Sequence, residues 1–395
     1  MAGSSFVEST ARRFEMRSPV ASLAGTLSAA PWRQAAGVLV VTRVVFLAVG
    51  YAGAWFLARG RGPLDVSFLD VWARWDALHF FSVAEHGYTG PGAEPHATAF
   101  FPGFPLALRA GTWLGLSPVA AGLAICAAAS LVAFAFLYRL AERDVGPGGG
   151  RRAVLYLALF PTAVFLVAPY SEALFLAGAI SAFYFARGGR WTLVGPAAAV
   201  AMSARAAGAF LLFGLALEFL RGRDFSTRRL RDALGALLLG TLPLVAYSVY
   251  LAGATGDPFR FITDQKLGWR RELTDPAQAF LSTWGTWSSP DYPSNWIFAW
   301  RLEIVAAVVG VAIVAWALAK REWGYAGYCG ATMAALLAST WYFSIPRMLL
   351  SLFPAVVFLA SSTARHPGRH ELLVAAFAPL ATLGVIVFTQ GAWFY

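Results

Sequence analysis

The sequence predicts an all-α polytopic membrane protein. Three observations carry that prediction. Of 395 residues, 58% are apolar and only 13% are charged, about half the charged share of an average soluble domain. Mean hydropathy is +0.60. Apolar runs succeed one another with short basic clusters between them. A soluble fold of this length has no interior large enough for so much apolar sequence, so the solvent that suits it is a bilayer. Disorder, a coiled coil, a disulfide scaffold and an ordinary cytosolic enzyme are excluded. The 31 Phe, 15 Trp and 13 Tyr fit many rings at the membrane surface. A net charge of +10 does not imply nucleic acid as a partner, because the basic residues form short clusters and no binding stripe. Cys126 and Cys329 both sit in apolar segments and read as small core residues.

Residues 1–34 read as a short cytoplasmic tail, since 20–30 is too weakly apolar for a signal peptide. Residues 35–395 then form a single polytopic domain. Its candidate spans are roughly 33–58, 117–140, 153–168, 170–186, 191–204, 206–220, 233–254, 298–319, 323–341, 347–363 and 371–393. Several are short, giving a range of nine to eleven, and Pro169 and Pro196 could kink or break two of them. The basic residues select eleven. With the N-terminus in the cytoplasm, alternation puts 19 of the 31 Lys and Arg residues in short cytoplasmic segments. Among them are Arg12, Arg13, Arg17, Arg139, Arg187, Arg221, Arg223 and Lys320. That is the positive-inside pattern, and it places the C-terminus outside.

Two long segments, 59–116 and 255–297, fall outside. Long loops in a compact chain usually carry function. The outside also holds Asp65, Asp70, Asp76, Glu85, Glu172, Asp257, Asp264 and Asp275. The first segment contains RWDALHFFSVAEHGY at 74–88. On a helix, Asp76, His79, Ser82 and Glu85/His86 share one face, and Ala77, Phe80/Phe81, Ala84 and Tyr88 the other. That is an amphipathic helix lying in the interface, with Gly87 as its stop. Two roles fit Asp76 equally: a general base at the lipid–water boundary, or an N-cap. Asp76, His79, Glu85 and His86 match no strong metal-ligand spacing, and no metal or other cofactor is expected. AFFPGFPLAL at 99–108 reads as a stiff apolar turn re-entering the membrane.

These two strings together resemble the signature of the GPI mannosyltransferase II family (the PIG-V type), of the GT-C class of membrane glycosyltransferases. The resemblance continues in FPTAVFLVAPYSEALFLAGAISAFY at 160–184, in MSARAAG at 202–208, and in WYFSIPRMLLSLFP at 341–354. It implies a GT-C fold and a transferase that takes mannose from a polyprenyl- or dolichyl-phosphate carrier. The sugar would go to a lipid-linked acceptor on the extracytoplasmic or lumenal face, with an α-linked product from a β-linked donor. It also implies that Asp76 is the catalytic acid of the first outer loop. SARAAG departs from the family, where a polar residue or Pro more often follows the Arg. The Ala/Gly/Arg-rich, compact chain points to a bacterial relative in the plasma membrane, with the endoplasmic reticulum as the alternative. The acceptor then need not be a GPI precursor.

Ionisable residues at membrane depth are the remaining candidates. Glu172 contacts substrate or caps the next helix. Arg205 and Arg347 hold the carrier phosphate or snorkel to the interface. Arg43 lies deep in the first span and should reach inward or pair. His79, Glu85 and His86 join them as substrate contacts. In DPFRFITDQKLGWRREL at 257–273, Lys266, Arg270 and Arg271 form the outer basic cluster, suited to phosphate or simply solvated. Trp269, Trp284, Trp287 and Trp296 stack on sugar or belong to the interfacial belt. The expected reaction is an inverting displacement without metal. Asp76 takes the acceptor's proton, and Arg205 or Arg347 steadies the leaving phosphate. The rivals are a transporter or flippase of a lipid-linked sugar, a non-catalytic scaffold subunit, and a transferase of another lipid-phosphate sugar. An accessory subunit is unspecified by the sequence.

Overall fold

A computed structural model describes residues 29–57, 67–222, 225–286, 289 and 291–394. Most of the predicted tail, including Arg12, Arg13 and Arg17, lies outside the described residues, as do Asp65, Arg223 and Trp287. The described chain is a bundle of α-helices, with one isolated antiparallel bridge between Leu273 and Ser339.

Among the described residues each of the eleven apolar runs contains an α-helix, although the run at 153–168 is α-helical only as far as Ala158. The bundle begins with α1 (Ala29–Phe56), then the amphipathic α2 (Asp76–His86), α3 (Gly103–Trp113), α4 (Pro118–Val145) and α5 (Gly149–Ala158). Next come α6 (Glu172–Arg187), α7 (Trp191–Ala204), α8 (Gly208–Arg221) and α9 (Thr227–Thr255). The 255–297 segment is itself largely helical, as α10 (Arg260–Trp269) and α11 (Pro276–Thr286). The chain closes with α12 (Ser294–Ala319), α13 (Trp323–Leu337), α14 (Ile345–Ser351), α15 (Pro354–Thr363) and α16 (Pro367–Thr389).

Among the described residues, five helices are long and apolar enough to cross a membrane: α1, α4, α9, α12 and α16. The pair α14–α15 makes a sixth if counted as one span, bent by 73°. The chain leaves helical geometry at Leu352, and Pro354, which has no N–H to continue the α14 ladder, opens α15 instead. The other apolar runs form shorter helices, α5 to α8 and α13. The chain is thus a multi-pass, all-α membrane protein.

Burial sorts these helices. α6 has twelve of its sixteen residues buried, so it is apolar all round and lies at the centre, packed on α4, α7 and α8. Small residues allow the close fit. A Cβ on Gly178 would sit 2.6 Å from the Ala197 carbonyl oxygen and the Ala201 nitrogen of α7. α1, α9 and α16 instead expose Val40, Val44, Leu238, Leu242, Val249, Leu372 and Leu383, the faces suited to lipid.

An ionic cluster ties one end of the bundle. Arg187, at the end of α6, pairs with Asp144 of α4, with Glu218 of α8 at 3.3 Å and with Glu322 before α13. Its guanidinium lies 3.9 Å from the centre of the Tyr325 ring. Arg187 and Arg221 therefore have carboxylate partners as well as their place in the basic pattern.

The 99–108 turn differs from the expected loop. A 3-10 turn, Ala97–Ala99, leads into α3 directly after Pro102. Gly103 opens that helix where a Cβ would come within 2.3 Å of the Ser203 hydroxyl on α7. Cys126 and Cys329 are free and buried.

Candidate active site

The site is built at the other end of α6. Trp72 is fully buried against Phe388, anchoring the chain before α2. Two hydrogen bonds then hold residues 74 and 75. Tyr170 donates its hydroxyl to the Arg74 carbonyl (3.0 Å), and Trp75 Nε1 donates to the Ala392 carbonyl (3.3 Å). Trp75 adopts φ +53°, in the left-handed region that a residue with a Cβ enters only at a cost. This turn starts α2 at Asp76. The Asp76 carboxylate makes no capping hydrogen bond and instead accepts from Arg347 Nη1.

Arg347 comes from the broken span. Ser344 precedes α14 with φ +62°, and the backbone N–H groups of Ser344 and Ile345 donate to the two oxygens of Glu303 at 2.6 and 2.8 Å. Glu303 is fully buried on α12. A carboxylate at a helix N-terminus satisfies donors that have no partner in the helix. It also fixes the segment that carries Arg347. The Arg347 guanidinium sits over the Phe165 and Tyr170 rings, at 4.8 and 4.6 Å from their centres.

Arg347 Nε donates to Glu172 Oε1, and Arg205 Nη1 donates to the same oxygen. Glu172, the first residue of α6, is fully buried. Arg205 leaves the end of α7 in extended geometry and also reaches the Ser171 hydroxyl at 3.3 Å. Asp76, Arg347, Glu172 and Arg205 thus form one line of alternating charge, closed and electrically balanced. The two inner members are buried and the two ends are partly accessible.

This line forms one wall of a cavity of about 660 Å³. Asp76, Tyr170, Arg205, Arg271, Glu272 and Arg347 supply its polar lining. Trp75, Phe100, Trp269, Trp296, Phe343 and Trp393 supply rings. Of the tryptophans singled out in the second outer segment, Trp269 and Trp296 line the cavity and Trp284 does not.

The other sequence-predicted residues sit elsewhere. His79 stacks on Phe100 at 4.8 Å behind the cavity wall. Glu85 and His86 pair with each other at 3.8 Å on the surface of α2. Lys266 pairs with Glu272 at 3.1 Å, and Arg270 is exposed. None of these five lines the cavity. Three of the remaining outer acids serve structural hydrogen bonds. Asp264 accepts from Thr98 (2.6 Å) and Arg260 (2.9 Å), Asp257 from the Phe259 N–H (2.8 Å), and Asp275 from the Ala277 N–H (3.0 Å). Arg43 reaches the Leu166 carbonyl and Ser130 inside the bundle. Among the described residues, no three His, Cys, Asp or Glu side chains converge as a metal site would need. Sequence reasoning left out Glu303 and gave Arg271 no role distinct from Arg270. The signal for Glu303 was present as a lone acid inside an apolar span.

Residues 64–219 match the family model described as Mannosyltransferase (PIG-V). The chain is 42% identical to human GPI alpha-1,6-mannosyltransferase 2, over 31% of this chain and 26% of the human protein. Likewise it is 42% identical to the mouse protein of that name and 43% identical to the rat one, over 26% of this chain and 22% of each relative. The chain therefore matches about a quarter of the length of these curated relatives. Asp76, Glu172 and Arg205 fall inside 64–219, and Arg347 falls beyond it.

Proposed function

We propose, from the match of residues 64–219 to the Mannosyltransferase (PIG-V) model and the 42% identity to human GPI alpha-1,6-mannosyltransferase 2 over part of the chain, that this is a membrane mannosyltransferase of the GPI mannosyltransferase II kind. Its donor is a polyprenyl- or dolichyl-phosphate mannose, and its acceptor is the hydroxyl of a lipid-linked glycan or glycolipid. The observation that carries the reading is Asp76. It is a carboxylate at the cavity wall, at the mouth of a turn that commits backbone strain to aiming it, and its hydrogen bond goes to Arg347 and not to its own helix. The outer acids Asp257, Asp264 and Asp275 each serve a local structural bond instead.

In this reading the donor's sugar sits against the aromatic wall and its lipid tail runs between helices. Asp76 accepts the proton of the acceptor hydroxyl as that oxygen attacks the anomeric carbon. The lipid phosphate departs from the opposite face, so configuration inverts. General-base help of this kind is worth about 10²–10⁴-fold. Arg347 keeps the Asp76 carboxylate in one position, and orientation of this sort contributes through proximity. In this reading α2 and the cavity lie on the extracytoplasmic side, as the positive-inside pattern of the sequence expects.

The test is mannosyl transfer by purified protein in lipid nanodiscs, with polyprenyl-phosphate mannose and a membrane lipid extract. Wild type should form a mannolipid, and Asp76→Asn, with an unchanged unfolding midpoint, should lose about 10²–10⁴-fold in kcat. Equal transfer by both removes Asp76 as the base. Relocation of the donor across the bilayer without its consumption would replace the transferase reading by a transporter.

A further inference from the structure

We infer that Arg271 binds the phosphate of the lipid-linked donor through its two terminal guanidinium nitrogens. The inference rests on the cavity being the donor site, the reading proposed for the chain's function.

The case starts from charge. When the acceptor oxygen bonds to the anomeric carbon, the bond from that carbon to the phosphate oxygen breaks. Its electron pair stays on the phosphate, which goes from one negative charge to two, and the acceptor's proton goes to Asp76. Cationic groups aimed at that developing charge lower the barrier. Arg205 and Arg347 are already committed, since they share Glu172 and Arg347 also holds Asp76. Lys266 is paired with Glu272. Glu303 accepts from the backbone at Ser344 and Ile345.

Arg271 lines the same cavity and has no ion pair among the described residues. Its Nε donates to the Ser339 hydroxyl at 3.4 Å. Nη1 and Nη2 have no protein partner among the described residues. A guanidinium anchored at Nε offers its remaining edge as a two-pronged donor, the geometry that fits phosphate oxygens. Burial lowers the Arg271 pKa, Glu303 opposes that, and Arg205 adds to the lowering. A positive group in that setting gains from an arriving anion.

The position is built. Arg270 caps α10 with φ +52°, and the Arg271 N–H closes back onto the Gln265 carbonyl at 3.2 Å. That reversal leaves Arg270 exposed and turns Arg271 inward. The next residues pair with 338–340. The Thr340 N–H donates to the Glu272 carbonyl (3.0 Å), and the Thr274 N–H to the Ala338 carbonyl (2.8 Å). This bridge holds Ser339 beside Arg271.

The experiment measures binding of polyprenyl phosphate and of the matching polyprenol to the full chain in nanodiscs. Wild type should prefer the phosphate. Arg271→Met should weaken phosphate binding about 10- to 100-fold, the loss expected for hydrogen bonds to a charged group, and leave polyprenol unchanged. Arg271→Lys should recover part of the phosphate preference. Wild-type affinity for the phosphate in a folded Arg271→Met overturns the assignment while leaving mannosyl transfer by wild type intact. Should Arg271→Met not fold, Arg271→Lys decides alone. It should bind the phosphate several-fold more weakly than wild type, and unchanged binding overturns the assignment. A wild type that does not distinguish phosphate from alcohol refutes both this assignment and the donor reading.

Discussion

Arg347 and Asp76, 271 residues apart in sequence, meet as donor and acceptor at the cavity wall. The contact joins a helix of the first outer segment to the broken span near the C-terminus. Arg347 also donates to Glu172, so the exposed end of the charge line is held by a residue that is itself buried and shared.

Glu172 should be the stability-determining member. Both guanidiniums converge on its Oε1, and it has no access to solvent. Removing one partner of a buried ion pair typically costs about 3–5 kcal/mol, because the other charge stays buried. Glu172→Gln is therefore expected to lower stability by about that much in reversible unfolding in detergent. Adding Arg205→Met should recover part of it, giving a coupling that a double-mutant cycle reads directly.

Glu303 should act through Arg347. Glu303→Gln keeps the size of the side chain and replaces one of its two acceptor oxygens with a donor. One backbone N–H at the start of α14 then loses its partner, a change of about 1–3 kcal/mol. The expected kinetic signature is a fall in kcat of about 10-fold or more with a smaller change in KM. A stability loss with unchanged kcat per folded molecule would assign Glu303 to folding only.

Arg187 tests the opposite end of α6. It is buried among Asp144, Glu218 and Glu322, some 22 Å from Glu172 at 1.5 Å per residue. Arg187→Met removes the buried cation and leaves Glu218 and Glu322 with the more exposed Arg221 and Asp144 with Arg143, so a loss of up to about 3–5 kcal/mol is expected in unfolding. The folded fraction should transfer mannose at the wild-type rate and bind polyprenyl phosphate with wild-type affinity.

Much of the bundle was legible because apolar helices announce themselves over long windows. Ten of the eleven runs are helical over most of their described length, but the run at 153–168 leaves the helix at Ala158 and continues through a 3-10 turn, Ala163–Leu166. Asp76, Glu172, Arg205 and Arg347 stood out because ionisable groups are rare in such surroundings. Their joining into one line was not legible, since it depends on which helix ends meet in space. Pro354 signalled the break between α14 and α15, although 347–363 read as one span. α10 and α11 were missed because their exposed faces mix charge with rings and carry no long apolar run. The difference between Arg270 and Arg271 rests on one residue with positive φ, whose sign is set by tertiary contacts and leaves no mark in the sequence.

The convergence of two guanidiniums on one buried oxygen has a consequence for how such a cavity changes over time. Asp76 and Arg205 cannot be retuned independently, because altering either shifts the load on Glu172 and so on the opposite end. Single substitutions that alter acceptor choice are therefore expected among the rings of Trp75, Phe100, Trp269, Trp296 and Trp393. There a change in shape disturbs no charge balance, and new specificity can arise without passing through an unfolded intermediate.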